Sequence, residues 1–275
     1  MVEYARRCTT EEVMAAAISK ELKDGEVGFT GLATGTRTAT LIVGIPLVAM
    51  GLAQQTHAPN FTIMCAGWLL NPKLDEIPTI ESEFDCRLLS WTCEARICDD
   101  ENIVYMARRG DIDVGFCSAA QIDKYGNTNS VSIGEYRKPK VRLVGAIFQT
   151  EHMSIFNREI VMIDQERRNF VERVDFISGV GYLDGPGARE RVGLKRGGPC
   201  KVVTNMAILG FDPITKRMRV ESVHPGFTIE DVRKNTGFEL LAPDPVPQTS
   251  PPTAEEVRLI REKIDPRGVL IPRGD

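Results

Sequence analysis

The stretch EVGFTGLATGT, residues 26–36, has the pattern of a strand that runs into a turn. Residues 26–31 predict a short strand, and the glycines and threonines of residues 31–36 predict the turn. Apolar residues then resume up to about Ala53, which indicates a buried helix. Strand, loop and helix in this order are the unit from which α/β proteins are built.

The same alternation continues on both sides of this stretch. Thr9 and Glu12 form a capping-box pattern at the start of an amphipathic helix. Residues 61–65 predict a second strand, and residues 103–109 and 113–117 predict a helix followed by a third strand. We therefore expect an open α/β sandwich with a mostly parallel sheet flanked by helices.

The second half of the chain adds strand patterns around a long glycine-rich loop at residues 179–198. The predicted strands are residues 160–163, 174–177, 202–209 and 218–223. Thr228 could cap one more helix, and the Pro-rich residues 242–252 predict an extended linker to a C-terminal helix at residues 254–264. With no internal repeat, residues 1–275 are interpreted as one domain.

Composition restricts the class of partner and the compartment. A formal net charge of −4 gives no basic surface for a phosphate backbone, so we expect no nucleic acid partner. Residues 1–25 lack a signal-peptide pattern, and the longest apolar stretch, residues 38–53, is too short to favour a membrane span. Seven irregularly spaced cysteines indicate free thiols, which suits the cytoplasm.

Three other patterns carry a weaker chemical signal. Cys86, Cys93 and Cys98 lack the close pairing typical of zinc sites, so we expect free thiols and no metal. Residues 179–185 approach a dinucleotide-binding fingerprint but fit a surface loop better. The basic side chains of residues 189–196 could meet a phosphate group, although a solvated face is the favoured interpretation.

Several stretches together resemble the class I CoA-transferase family, in particular the β-type subunits of glutaconate CoA-transferase. These stretches are residues 120–130, 132–136, 184–191, 235–238 and 259–266. The resemblance runs in order over roughly residues 9 to 268, which makes it far more specific than any single motif.

The resemblance implies a heteromer in which an α-type subunit pairs with this β-type chain and an acyl-CoA binds between them. No further cofactor is implied, because coenzyme A enters as part of the substrate. In these transferases a glutamate of a Glu-Ser-Gly sequence attacks the thioester and forms an acyl anhydride.

Three departures from the family pattern bear on the chemistry. Cys65, within residues 62–67, stands where the family carries the nucleophilic glutamate. After Gly145, where relatives have a Gly-Gly-Ala-type turn, this chain reads Ala-Ile-Phe-Gln-Thr, so the expected oxyanion donor is in doubt. About ten extra residues between Gly31 and Pro46 would also reshape the wall beside the site.

These departures leave several interpretations open. Cys65 could be an uncharged wall residue beside a substrate carboxylate that leaves as carbon dioxide, as in the 3-methylglutaconyl-CoA decarboxylase branch, which also has cysteine there. A glutamate of the partner could act as general base, as in relatives that hydrolyse a steroid ring. Cys65 could also serve a genuine transferase as a thiolate. A subunit that has lost catalysis is the non-enzymatic alternative.

The resemblance implies one catalytic position and a set of substrate contacts. Cys65 is the catalytic position, and the expected acyl-CoA contacts are Met64, Ala66, Gly67, Ser118, Ala119, Ala120, Gln121 and Gly145. Gln121, Asn127 and Asn129 could touch ligand or only hold a turn, and the turn is the favoured interpretation.

Overall fold

The computed structural model describes residues 3–82, 85–97 and 101–273, without the side chains of residues 101 and 102. The chain divides into two compact units. The first contains the residues up to Phe116 and those from Ser250 onward, and the second contains Cys117 to Thr249. The interpretation of residues 1–275 as one domain stays a prediction.

The first unit consists of helices and a β-sheet whose central strands are parallel. Its elements are α1 (Thr10–Ser19), β1 (Val27–Thr30), α2 (Arg37–Ala39), α3 (Ile45–Thr56), β2 (Thr62–Cys65), β3 (Leu69–Pro72), β4 (Cys93–Arg96), α4 (Glu101–Arg109) and β5 (Val114–Cys117). Strand β1 pairs in parallel with β2 and β5, whereas β3 and β4 add antiparallel pairs at one side. This confirms the predicted α/β class with its parallel strands.

The long apolar helix after β1 is part of the core of the first unit. Thr36 caps α2, a π-helical turn at Thr40–Gly44 follows, and α3 completes the helix. Residues 37–56 are long and apolar enough to cross a membrane, yet 72% of their most apolar window is buried inside the protein. Burial of this kind is typical of a core helix.

The second unit combines short hairpins with a four-stranded sheet. Its elements are β6 (Gln121–Ile122), β7 (Thr128–Asn129), β8 (Ser132–Ile133), β9 (Val141–Arg142), α5 (Gln149–Ile155), β10 (Arg158–Met162), α6 (Ala188–Arg191), β11 (Pro199–Val203), β12 (Ala207–Phe211), β13 (Met218–Val223) and α7 (Ile229–Lys234). Strand β10 is parallel to β11, and β11, β12 and β13 are antiparallel in sequence order.

Two predicted strands of this unit are wrong. Residues 202–209 form parts of β11 and β12, because the Thr204 hydroxyl accepts hydrogen bonds from the N–H groups of Met206 and Ala207 and reverses the chain. Residues 174–177 form no strand. The Asp175 N–H there donates to the side chain of Gln121 instead of a neighbouring strand.

The C-terminal helix returns to the first unit. It comprises α8 (Ala254–Leu259) and a π-helical turn at Ile260–Ile264, as the sequence predicts for residues 254–264. Arg261 forms a two-pronged ion pair with Glu12 of α1, with distances of 2.6 and 2.9 Å. Because Glu12 is almost fully buried, this pair fixes α1 to the end of the chain.

Candidate functional site

Cys65 is the last residue of β2 and lies beside Thr30, the last residue of β1. Both side chains are fully buried. The N–H of Ala66 donates to the Thr30 carbonyl at 2.8 Å, which continues the pairing one residue past the strand. The sequence therefore predicts correctly that Cys65 lies at the carboxyl end of a strand, at the edge where parallel sheets bind ligands.

The chain turns sharply after Cys65. Ala66 and Gly67 both have left-handed backbone conformations, with φ of 50° and 78°, and the N–H of Trp68 donates to the Cys65 carbonyl at 3.1 Å. A left-handed alanine is uncommon and costs energy, and such strain is found most often at functional turns. Met64, Ala66 and Gly67 thus border Cys65 in one short, strained segment.

The thiol of Cys65 is held in its neutral form. Burial raises its pKa well above the ordinary value, and the nearby Cys93 adds to the effect. Thiolates of reactive cysteines require the opposite, a cationic or polar environment that lowers the pKa. In this chain Cys65 is therefore a protonated, uncharged side chain at neutral pH.

The helix that follows β1 contains a π-helical turn at Thr40–Gly44. The hydroxyl of Thr30 donates to the carbonyl of Ile42, which lies in this turn. Single π-helical turns inside α-helices are frequent at functional sites. The start of this helix is thus tied to the strand end next to Cys65.

The other predicted contacts, residues 118–121 and 145, belong to the second unit. The N–H of Gly145 donates to the Ser130 carbonyl at 2.9 Å. The Ser130 hydroxyl donates to Oε1 of Gln149 at 3.1 Å, and Nε2 of Gln149 donates to the Ser118 carbonyl at 2.9 Å. Ser118 and Gly145 are therefore linked through Ser130 and Gln149.

Gln149 is a residue that the sequence analysis missed as a member of this group. It is the first residue of α5 and is buried, with Oε1 also accepting from the hydroxyl of Ser178 at 2.8 Å. No motif or spacing marks it, because its partners lie 19, 29 and 31 residues away in sequence.

The turn between Gly145 and α5 is strained and exposed. Gly145 has φ of 103°, and Ile147 has φ of 50° with its side chain 80% exposed. A β-branched residue in the left-handed region is a true outlier, and no burial of the side chain offsets its cost. This turn is the position where the family resemblance implies a glycine-rich sequence.

Gln121, Asn127 and Asn129 hold the hairpin of β6 and β7. Asn127 Nδ2 donates to both carboxylate oxygens of Asp123, at 3.1 and 3.0 Å. Asn129 Nδ2 donates to Gln121 Oε1 at 2.8 Å and to the Ser132 carbonyl at 2.7 Å. These hydrogen bonds agree with the interpretation that the three side chains hold a turn. Contact of Gln121 with a ligand stays a prediction.

The three histidines have separate structural partners. His57 contacts the Leu22 carbonyl at 3.1 Å, His152 contacts the buried carboxylate of Glu159 at 3.3 Å, and His224 lies between Thr204 and Thr249.

The thiol of Cys117 is also held in its neutral form. Burial, followed by the charge of Glu159, raises the pKa of Cys117 well above its ordinary value. Cys117 is therefore a protonated thiol and not a thiolate nucleophile.

Six cysteines are free thiols in the part of the chain that the structure describes. Cys86 is exposed and Cys93 half-buried, and Cys98 lies outside the described residues. Within the ranges 3–82, 85–97 and 103–273, no three His, Cys, Asp or Glu side chains are grouped so that they could hold a metal ion.

The fold and the strand-end segment place the chain in an α/β class that binds ligands at the edge of a parallel sheet. Residues 11–235 match the family described as Coenzyme A transferase, and the chain belongs to that family of enzymes. It is a homologue of the B-type subunit of glutaconate CoA-transferase from Acidaminococcus fermentans, with 35% identity over 98% of this chain and 97% of that protein.

Other relatives carry different activities in their names. The B-type subunit of 3-oxoadipate CoA-transferase from Pseudomonas knackmussii is 32% identical over 92% of each chain. The cholesterol ring-cleaving hydrolase IpdB subunit of Rhodococcus jostii is 27% identical over 86% of this chain and 87% of that one. Sequence similarity thus extends to transferases and to a hydrolase.

Solved structures agree with the fold. The crystal structure of glutaconate coenzyme A-transferase from Acidaminococcus fermentans superposes with a TM-score of 0.82 at 33% identity, over 99% of this chain and all of that one. The decarboxylase AibA/AibB superposes with a TM-score of 0.76 at 23% identity, over 95% and 97% of the two chains. At that identity the second likeness concerns the fold alone.

Proposed function

We propose that this chain is the β-type subunit of a heteromeric enzyme that acts on an acyl-CoA thioester by non-transferase chemistry, with decarboxylation as the reaction. An α-type subunit is its partner, in line with the relatives named as B-type subunits and the solved complexes. The supporting observation is the buried, neutral thiol of Cys65 at the end of β2. No cofactor besides the coenzyme A of the substrate is needed, and the free thiols suit the cytoplasm.

Cys65 stands where the family resemblance implies the nucleophilic glutamate. CoA exchange between acids requires an enzyme carboxylate, because the mixed anhydride forms between two carboxyl groups. A thiol cannot form that anhydride, and its raised pKa also disfavours a thiolate that would attack the thioester directly. The proposed role of Cys65 is therefore a wall residue beside the acyl group.

A neutral wall favours loss of carbon dioxide from a substrate that carries a free carboxylate. Cys65 and its register partner Thr30 at this strand end are uncharged and buried, so a carboxylate placed against them gains no ionic partner. In the reaction, the carbon–carbon bond to the carboxylate breaks and its electron pair moves into the conjugated thioester. Carbon dioxide leaves, and the carbon chain then takes up a proton from solvent water.

Two further candidates have specific support. A genuine CoA-transferase is favoured by the 35% and 32% identity to B-type transferase subunits. Hydrolysis with a general base on the partner subunit is favoured by the relative named as a ring-cleaving hydrolase.

The test uses the chain purified together with its α-type partner. Acyl-CoA substrates that carry a labelled free carboxylate are incubated with the complex, and the products are separated by mass spectrometry. Release of labelled carbon dioxide supports the proposal. Water addition without loss of carbon or CoA exchange with a free acid would replace it with one of the other candidates. No turnover with any substrate would indicate that the chain is a structural subunit without catalytic activity.

Variants of Cys65 test its role. Cys65→Ser is expected to retain activity within about tenfold, since a wall residue supplies no electron pair, whereas loss of a nucleophile costs far more, by roughly 10⁶-fold in a well-studied serine protease. Cys117→Ser is the matched control, because Cys117 is also buried at a strand end with a raised pKa. Gain of CoA exchange in Cys65→Glu would support the position assigned to Cys65.

A further inference from the structure

A cavity of about 110 Å³ lies in the second unit, within the glycine-rich loop and beside Lys216. One water needs roughly 10–15 Å³ of such space, so the cavity has room for several waters or one tetrahedral anion. Four basic residues, Arg189, Lys195, Arg196 and Lys216, and one acidic residue, Glu190, contribute to its lining. The cavity therefore carries an excess of positive charge.

Arg189 supplies a buried charge without a carboxylate partner. It is 5% exposed, and its guanidinium donates to the carbonyls of Val180, Gly181, Met153 and Arg196 at 2.6 to 2.9 Å. Among the residues that the structure describes, no carboxylate oxygen lies within 4 Å of it. A buried cation without an ion partner is costly, and an anion in the cavity would offset that cost.

The same hydrogen bonds make the cavity preformed. Arg189 ties the start of the loop, near Val180, to its end at Arg196 and to the carbonyl of Met153 on α5. Gly185, Gly187 and Gly197 line the cavity with left-handed backbones, which lets main chain approach a ligand closely. Binding would then require little reordering of the loop.

Lys195 and Lys216 are the adaptable charges of the cavity. In the described part of the chain neither ammonium group has an ion pair, and Lys216 Nζ lies 5.3 Å from the ring centre of Tyr182. Lysine ammonium groups on flexible stems bind phosphate as point charges. Several cations around one small space suit a doubly charged anion better than a single carboxylate.

We propose that this cavity is a phosphate-binding site, formed around Arg189 by Lys195, Arg196 and Lys216. The phosphate could be free orthophosphate or a phosphate group of coenzyme A. Only the second source rests on the proposed function, because the cavity itself does not depend on any reaction at the strand edge near Cys65.

The test is calorimetric titration of orthophosphate into the complex of this chain with its α-type partner, in phosphate-free buffer of low ionic strength. Lys195→Gln and Lys216→Gln are each expected to weaken phosphate binding about fivefold, as loss of one charged contact does. Arg191→Gln is the matched control. Arg191 belongs to the same loop but pairs with Asp184 at 3.1 Å and does not line the cavity, so affinity should stay within about twofold.

Competition then distinguishes the two sources. If coenzyme A displaces phosphate and 3′-dephospho-coenzyme A does so at least about fivefold less well, the site takes the 3′-phosphate of the coenzyme. If neither competes, the site takes a separate phosphate ligand. Absence of saturable phosphate binding, or equal binding by the wild type and both lysine variants, would overturn the proposal. Because the phosphate titration requires no turnover, it can succeed even if the proposed decarboxylation fails.

Discussion

The side-chain amide of Gln149 donates a hydrogen bond of 2.9 Å to the carbonyl oxygen of Ser118. The bond joins the first residue of α5 to the segment that follows β5. On the other side of the amide, Oε1 accepts from the hydroxyls of Ser130 and Ser178. One side chain therefore contacts three segments, at Ser118, Ser130 and Ser178, and the Ser118 segment carries predicted acyl-CoA contacts.

Gln149→Ala is expected to lower the free energy of unfolding by about 1–3 kcal/mol, because it removes three hydrogen bonds, one of which is made with the buried Ser178 hydroxyl. It should also lower turnover of the complex more than tenfold if the Ser118 segment contacts the substrate. Urea unfolding and steady-state kinetics measure the two effects.

Gln165→Ala is the matched control for this variant. Gln165 is also a buried glutamine of the second unit, and its Nε2 donates to the Thr236 hydroxyl at 3.0 Å. We expect a smaller loss of stability, because Gln165 makes one side-chain hydrogen bond and its Oε1 has no partner in the described part of the chain, and we expect no loss of turnover. Equal effects of both variants on turnover would show that Gln149 acts through stability alone.

Gly44→Ala should destabilise the first unit severely. A Cβ atom at Gly44 would lie 1.9 Å from the carbonyl oxygen of Leu270, a backbone contact that no rotamer change relieves. We expect a loss of at least about 3 kcal/mol, far above the roughly 1 kcal/mol that alanine gains over glycine in a helix. The measurement is thermal unfolding of the complex with the partner.

Gly31→Ala provides the comparison. A Cβ atom at Gly31 meets no heavy atom within 4 Å, and its backbone is outside the left-handed region. Its unfolding free energy should stay within about 0.5 kcal/mol of the wild type. A tolerated Gly44→Ala would show that the C-terminal segment does not pack against the helix as described.

His224 should make stability fall in mild acid. Burial lowers the pKa of its imidazole from 6.5 to about 4, and both ring nitrogens have neutral partners, Thr204 and Thr249. In the unfolded chain the ring binds a proton below about pH 6.5, whereas the folded protein resists that proton until about pH 4. The stability present above pH 6.5 is therefore lost progressively as the pH falls, by about 3 kcal/mol in total.

His224→Gln should remove this part of the pH dependence. Urea unfolding at pH 7 and pH 4.5 measures it, and the difference between the two pH values should shrink by roughly 2 kcal/mol in the variant. His57→Gln, a substitution on the surface of the first unit, is the control for replacing a histidine by glutamine elsewhere in the chain. An unchanged difference in His224→Gln would contradict the prediction.

The buried thiols should resist alkylation and make the fold sensitive to alkali. Burial raises the pKa of Cys65 and Cys117 above the ordinary value of 9.0, so both remain protonated in the folded protein where unfolded thiols ionise. Their stabilising contribution is complete below about pH 9 and is lost as the pH rises further.

Iodoacetamide labelling followed by peptide mass spectrometry tests this directly. At pH 8 the exposed Cys86 should be labelled first, and Cys65 and Cys117 only at the rate at which the protein unfolds. Rapid labelling of Cys65 in the folded complex would contradict the neutral wall role.

The sequence alone was sufficient for elements whose signals are local. Thr9, Thr228 and Thr253 each begin a helix with a capping box. The pattern is visible in the sequence as a threonine followed three positions later by an acidic residue. Asp212 is a similar local signal in the turn between β12 and β13, where its carboxylate accepts hydrogen bonds from the N–H groups of Ile214 and Thr215. The split of residues 202–209 into two strands was missed because Thr204, a strand-forming residue type, supplies the turn.

The α/β class, the strand end at Cys65 and the family were determined by the sequence, because periodicity, turn residues and ordered motifs are properties of neighbouring residues. Tertiary structure decided the protonation of Cys65, the link between Gln149 and Ser118 and the cationic cavity around Arg189. Each of these depends on burial or on contacts between residues far apart in the chain, and only packing of the folded chain brings such residues together.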